Sequence, residues 1–426
     1  MLDIKHLIKN PDTVQKQLAL RNFDKKTIRK VFDLDVTRRN LLQKVEILKA
    51  TKNTFSKSIG TLDKIKRETG LKEMKKLDVQ EDDLNAQLLK IKNDLTQLMM
   101  TIPNIPHEKV PQGKDETENV VIKTVGKKTD FAFQLKDYMA LASLHDLIDT
   151  ERAAKVSGSR FGYLKKEGAL LWNALVQYCL AVILKEGFVP FYSPSLVKEE
   201  VMNNSGYDTY TDGQDAYYIE KDKLFLVGTG EHALLPYHSN EVLDEKKLPL
   251  RYTTYSSCYR REAGSYGKDT KGILRVHQFE KQEMLIITTP EKSWKAFDSL
   301  IKIQEKIVTA LGLPYQLLEV CTGDLPKPSA RVIDLECWIP SEKKYRETHS
   351  ASNCTDYQAR RNKIRYKTKE GKNEMVHILN ATVVTPRLLI VLLENYQQQD
   401  GSITIPNVLQ IYMDNKSVIT SIKDEK

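Results

Sequence analysis

The sequence predicts an α+β protein in two parts: a long N-terminal antiparallel α-helical hairpin, then a domain on an antiparallel β-sheet flanked by helices. The expected boundaries are 1–102 for the arm, 103–120 for a linker and 121–426 for the second domain. Three observations predict this. Residues 27–102 carry hardly a proline and no strand-like run, and their apolar side chains recur at alternating steps of three and four, the seam of a coiled coil. Pro103, Pro106, Pro111 and Gly113, followed by the acidic run Asp115-Glu116-Thr117-Glu118, then break the pattern. Beyond them, helical stretches alternate with short β-branched or aromatic runs such as Met284-Leu285-Ile286-Ile287.

The hairpin comes first. One seam runs Val31, Leu34, Arg38, Leu41, Val45, Leu48, Lys52, Phe55, Ile59, and the second runs Met74, Leu77, Glu81, Leu84, Leu88, Ile91, Leu95, Leu98, Ile102. Gly60 and Gly70, with Thr61 and Thr69, supply turn-compatible residues between them. Each helix of ~35 residues would be ~50 Å long. Arg38, Lys52 and Glu81 put charge into the seam, so a weakly packed hairpin standing in solvent is expected. Between Thr51 and Gln80 there are eight Lys and Arg against four Asp and Glu. A basic tip of this kind can grip a nucleic-acid backbone, and equally it can be a solvated coiled coil or a dimerisation rod.

Composition narrows the class. The 426 residues are 40% hydrophobic and 29% charged, too rich in Leu, Ile and Tyr for disorder, and the length allows two or three domains. Cys179, Cys258, Cys321, Cys337 and Cys354 are scattered, without metal-ligand or redox spacing, which argues against a disulfide scaffold and a structural zinc and for a reducing cytoplasm. Met1-Leu2-Asp3-Ile4-Lys5 does not open a signal peptide. The longest apolar stretch, 169–184, is interrupted by Asn173 and Gln177 and reads as too short for a bilayer, so no membrane is expected. The net charge of +9 fits a polyanionic partner or merely a basic surface.

In the second domain the run 332–339 alternates Asp334, Glu336 and Trp338 against Ile333, Leu335 and Cys337, a strand with one polar face. A P-loop, a dinucleotide fold, HExxH, GxSxG and a Cys/His nucleophile are all excluded by missing residues. The dense charge lies in 259–283, which reads as strand, Gly-rich loop, strand. Arg260 and Glu262 can share a face, and Arg275, Phe279 and Glu283 follow at intervals of four. Such a face suits a nucleotide, with arginines on phosphates and the aromatic ring under the base, and a salt-bridged hairpin is the alternative.

These residues resemble motif 2 of the class II aminoacyl-tRNA synthetases, and within that class the seryl-tRNA synthetases, over nearly the whole chain. Residues 151–161 are similar to the family's opening segment, 187–194 to motif 1 with its dimer-forming helix and proline, and 388–397 with Arg387 to motif 3. The hairpin resembles the family's tRNA-binding arm. The resemblance implies serine–tRNA ligation: ATP and L-serine form seryl-adenylate with release of pyrophosphate, and serine passes to the 3′ end of tRNA(Ser), with tRNA(Sec) as a further acceptor. It also implies Mg²⁺ and a homodimer through motif 1.

By the same resemblance Arg260 and Arg387 are the catalytic residues. Arg260, Arg261, Glu262, Arg275, Phe279, Glu347, Thr348, His349, Ser350 and Arg387 would bind ATP, and Glu347 and Ser350 would hold Mg²⁺. Thr229, Gly230, Glu231, Arg260, Glu283 and Thr382 would bind serine. Lys52, Lys57, Lys64, Lys66 and Arg67 on the arm, with Tyr266, Lys268 and Lys271 in the Gly-rich loop, would meet tRNA. Two departures stand out: His349 replaces a small residue, and the segment Thr382 to Arg387 is one residue short. His349 reads as a packing variation or an ATP contact, and His277 as a satisfied structural histidine. Two other readings are a paralogue that loads a non-tRNA acceptor, which would not need the arm, and a non-catalytic RNA-binding dimer, which would not need the charged site.

Overall fold

The computed structural model describes residues 1–59, 64–206, 215–263 and 271–420. It divides into two compact units, Leu2–Pro103 and Asn104–Lys426, Met1 clustering with the second. The first unit opens with two short helices, Ile4–Lys9 and Pro11–Ala19. Asp3 caps the first by accepting from the Lys5 N–H at 2.8 Å. The hairpin helices are α1 (Lys25–Ile59) and α2 (Lys64–Thr101). Ile28, Val31, Leu41 and Val45 of α1 are buried, as are Leu88, Leu95 and Met99 of α2. Farther along, Leu48, Phe55, Met74 and Leu77 are only partly covered, so the seam loosens away from its base.

The seam charges find partners. The Lys52 ammonium lies 2.6 Å from Asp78 and 2.5 Å from Glu81 across the hairpin. Arg38 and Arg39 both bond Asp35, at 2.6 and 2.9 Å. Asp35 lies off the expected seam yet is buried, because two guanidinium groups neutralise it. Gly70, expected near the turn, lies inside α2.

The second unit is a mixed, mostly antiparallel sheet with helices. Its elements are β1 (Val120–Val125), α3 (Lys166–Lys185), β2 (Val189–Phe191), β3 (Leu250–Tyr259), β4 (Gln278–Thr288), α4 (Ser293–Ala310), β5 (Tyr315–Glu319), β6 (Arg331–Ile339), β7 (Lys344–Asn353), β8 (His377–Val384) and α5 (Pro386–Asn395). The eight strands lie in the order β1-β5-β6-β7-β8-β4-β3-β2, and only β2 runs parallel to its neighbour. One face is apolar: Met284, Ile286, Leu335, Cys337, Ala351, Ala381 and Val383 pack against Leu175, Phe297, Leu300, Ile307 and Leu389 of the helices. Fully burying the Leu, Ile, Val, Met and Phe side chains among these contributes about 1.5–3 kcal/mol each.

The segment 104–119 is not a free linker. Asn104 and His107 donate backbone hydrogen bonds to Lys327 and Ala330, and Val110 packs with Val320, Leu325 and Val332. Helix α3 contains the apolar stretch seen in the sequence and, at 20 residues, is long and apolar enough to cross a membrane. Half of it is buried among the side chains of this unit. All five cysteines are buried free thiols.

Candidate active site

Directly opposed residues of antiparallel strands share a face. Phe279 pairs with Cys258, Lys281 with Ser256, and Glu283 with Thr254 on one side and Thr382 on the other. Asn380 pairs with Ser352, Asp334 with Ser350, and Glu336 with Glu347. The sheet face turned from the helix-packed core therefore carries hydroxyls, carboxylates and one ammonium from β3 to β6.

Glu347 and Ser350 are three residues apart, a spacing that sends two side chains to opposite faces of a regular strand. They share a face because β7 is bulged at Thr348: Leu335 opposes His349, whereas Glu336 opposes Glu347. The bulge also settles His349. It is opposite Leu335, fully buried, with Nδ1 2.8 Å from the Thr348 hydroxyl and Nε2 3.1 Å from the Val383 carbonyl. Burial pushes its pKa down to about 4. His349, one of the expected ATP ligands, thus belongs to the core and does not line the cavity.

The cavity opens between the end of β3, the start of β4 and the first turn of α5, with Arg260, Arg275 and Arg387 on its walls. Arg260 follows β3 directly. Its Nε donates to the Gly228 carbonyl at 3.1 Å, and its guanidinium carbon lies 5.3 Å from the Phe279 ring centre. Its backbone N–H donates to His277 O at 2.9 Å, and His277 Nδ1 lies 3.0 Å from Arg260 O, which joins the two ends of the Gly-rich loop. Arg275 pairs with Glu262 at 2.7 Å. Arg387 stands in the first turn of α5, one residue after Pro386, and bonds the Glu347 carbonyl and carboxylate, each at 3.0 Å. The short link from β8 to α5 is a single residue, Thr385.

Arg261 takes another direction from the one expected. Its Nε donates to the Ala216 carbonyl at 3.1 Å and its guanidinium lies over Tyr217, away from the cavity walls. Thr348 and Thr382 do line the cavity. Tyr266 and Lys268 lie outside the described residues, and Lys271 is exposed just after them. On the arm, Lys57, Lys66 and Arg67 are exposed, Lys64 begins α2, and Lys52 is half-buried in its ion pair.

A second group of carboxylates lies beside Lys281. The Thr229 hydroxyl donates to Glu283 Oε2 at 3.4 Å. Gly230 is required by close approach, since a Cβ there would meet Thr254 Cγ2 at 2.6 Å. Glu231 accepts from Gln358 at 2.6 Å and Asn380 at 3.0 Å. Burial, with Glu283 nearby, pushes its carboxyl up to about 7. Burial also raises Asp334 well above the carboxylate range, with Glu347 adding to it, and Asp334 Oδ1 is buried without a hydrogen-bond partner. Burial would raise Glu347 too, but Arg387 and then Arg260 outweigh it, and the carboxyl stays below its ordinary value. Its side chain keeps 47% of its surface open, so water still reaches the oxygens.

Lys281 is the residue the sequence reading missed. It lies two positions from both Phe279 and Glu283, so strand parity alone places it on their face.

An antiparallel sheet with an arginine-rich loop before one strand and an arginine on the helix after another defines a class II aminoacyl-tRNA synthetase core. The family described as tRNA synthetase class II core domain (G, H, P, S and T) matches residues 216–396, and the one described as Seryl-tRNA synthetase N-terminal domain matches 1–106. The chain belongs to the seryl-tRNA synthetase family: it is 42% identical to the serine–tRNA ligase of Dictyoglomus thermophilum over 100% of both chains. It is likewise 42% identical to that of Pseudothermotoga lettingae, covering 97% of this chain and 99% of the relative. Among solved structures, it is similar to the seryl-tRNA synthetase of Pyrococcus horikoshii complexed with ATP, with a TM-score of 0.92, 35% identity and coverage of 99% and 100%. The cytoplasmic serine–tRNA ligase of Naegleria fowleri in complex with AMP gives 0.88 and 30%, covering 99% of each chain.

Proposed function

We propose that the chain is a cytoplasmic serine–tRNA ligase that activates L-serine with ATP and passes it to tRNA(Ser), with tRNA(Sec) as a second acceptor. The observation that carries this reading is one sheet face holding a cationic cavity, Arg260, Arg275 and Arg387, directly beside a carboxylate and hydroxyl pocket, Thr229, Glu231 and Glu283. The first suits a triphosphate and the second a small ammonium- and hydroxyl-bearing substrate.

In the first step an oxygen of the serine carboxylate attacks the α-phosphorus of ATP, a P–O bond forms, and the bond to the leaving pyrophosphate breaks. The nucleophile is ionised at neutral pH, so no general base is required. The work is alignment of two anions and neutralisation of charge on the phosphates. Arg260, fixed by the Gly228 carbonyl and by its backbone pairing with His277, is set to meet the carboxylate and the α-phosphate together. Arg387 is set for the far phosphates, Arg275 assists, and Phe279 offers its ring to adenine. Glu231, Glu283, Thr229 and Thr382 take the serine amine and hydroxyl. In the second step a hydroxyl of the terminal ribose attacks the carbonyl carbon of the adenylate and AMP leaves.

The oxygen donors Glu347 and Ser350, with the unpartnered Asp334 Oδ1 behind Ser350, fit Mg²⁺, a hard cation. When bound, the ion would neutralise phosphate charge. The exposed apolar side chains along motif 1, Leu170, Leu184, Val189 and above all Tyr192 at 93% exposure, favour a homodimer through that surface. The arm, basic near its tip, is the surface for tRNA.

Serine-dependent exchange of pyrophosphate into ATP tests the reading. Exchange followed by serylation of tRNA(Ser) is expected. Absence of exchange in the purified protein would overturn the enzyme, and exchange without charging would point to another acceptor.

A further inference from the structure

Lys281 projects from β4 into the wall of the cavity, on the same face as Phe279 and Glu283. Its side chain is 10% exposed and that of Glu283 is 3% exposed. Its ammonium ion-pairs with Glu283 Oε2, and the Thr229 hydroxyl donates to that same oxygen. With Oε2 engaged twice among the described residues, Oε1 is the oxygen left for a ligand. Glu231 stands near enough for the two carboxylates to repel each other. Two buried like charges side by side are not both held ionised unless a cation offsets one of them. Lys281 is the cation that pairs with one of them.

We propose that Lys281 is a positioning residue for the amino-acid substrate: it pins Glu283 Oε2 together with Thr229 and so presents Oε1 to the hydroxyl and ammonium groups of a small amino acid. The proposal rests on the serine–tRNA ligase reading above. It assigns Lys281 to the amino-acid half of the site, although its side chain also borders the phosphate cavity. A direct phosphate contact would instead make it part of the ATP site, and the two roles separate kinetically.

The test is pyrophosphate exchange with the full-length protein carrying Lys281→Met, Lys281→Arg, Glu283→Gln or the double change Lys281→Met with Glu283→Gln. Lys281→Met is expected to raise the serine KM about 30-fold or more while the ATP KM stays within about threefold, and Lys281→Arg to recover part of the loss. In the Glu283→Gln background, Lys281→Met is expected to cost less than about threefold further, since Lys281 acts through that carboxylate. The double variant removes both charges of the Lys281–Glu283 pair and leaves neither partner unmatched, so it keeps the test open if Lys281→Met alone does not fold. An unchanged serine KM, a parallel rise in the ATP KM, or losses that multiply in the double variant would each overturn the proposal. A wild-type protein without serine-dependent exchange overturns the underlying function instead, and is seen before any variant is made.

Discussion

Lys52 on the hairpin and Lys281 on the sheet both pair with glutamates, but the two pairs sit in different solvents. The Lys52 side chain is 22% exposed and its partner Asp78 is 52% exposed, so water and salt screen the pair. Hydrogen bonds to Asp78 and then Glu81 push the Lys52 pKa up to about 12. Lys281 and Glu283, at 10% and 3%, are shielded, and an unmatched charge there is costly. The arm can therefore spend its charge on a long, salt-sensitive, sequence-tolerant surface. The sheet must place every charge against a specific partner. Changes at the site should act steeply on the first chemical step, and changes on the arm should act on charging alone.

Arg260→Ala is the sharpest break on the site side. It is expected to lower pyrophosphate exchange by about a thousandfold or more, with the melting temperature little changed. A normal exchange rate would remove Arg260 from the site of the first step. On the arm side, deletion of residues 53–76 is expected to lower tRNA charging by about a hundredfold and exchange by less than about threefold. Equal loss of both activities would mean the arm supports the fold of the whole chain.

Glu231 ties the serine half of the site to pH. Its carboxyl titrates near 7 in the folded chain, far above its ordinary value, so below that pH it is protonated and cannot pair with an ammonium group. The serine KM should rise as pH falls through 7, while the ATP KM stays flat. The sign for stability is opposite: a raised carboxyl pKa means ionisation in the fold is unfavourable. That cost is absent below the unfolded value of 4.5, grows across the interval, and is complete above about 7. Glu231→Gln should then melt higher than wild type at pH 8 and equally at pH 4, while losing about tenfold or more in serine use. A lower melting temperature at pH 8 would contradict the carboxyl's environment.

His349→Ser, which restores the small residue common in the family, should leave the ATP KM unchanged and cost about 1–3 kcal/mol of stability. Two buried hydrogen bonds lose their partner and a cavity opens. The smallest effect is salt. Raising ionic strength severalfold should weaken charging and leave exchange nearly unchanged, because phosphate contacts on an exposed surface release counterions.

The hairpin was legible because a helix writes its packing into local steps of three and four, and Val31, Val45, Leu88 and Leu95 are buried where that period puts them. The polar faces of β4 and β6 were legible for the same reason at a period of two, and Lys281 was legible in principle. Three features were not. The bulge at Thr348 shifts parity by one residue, so Glu347 and Ser350 come together and His349 turns inward. Arg261 follows a loop to Ala216 and Tyr217 that no periodicity describes. The segment 103–120 reads as a linker because its prolines break local pattern, yet Asn104, His107 and Val110 within it find partners some two hundred residues on.

Local pattern encodes the two-part build and the polar strand faces, because each is written within a few residues. Packing and register bring together the charges that face each other: Lys281 with Glu283 beside Thr229, Arg387 with Glu347, and Glu231, whose own carboxyl is pushed up by burial and then by Glu283. Register, bulges and burial set those distances, and charge interactions depend on distance and dielectric rather than on order in the chain.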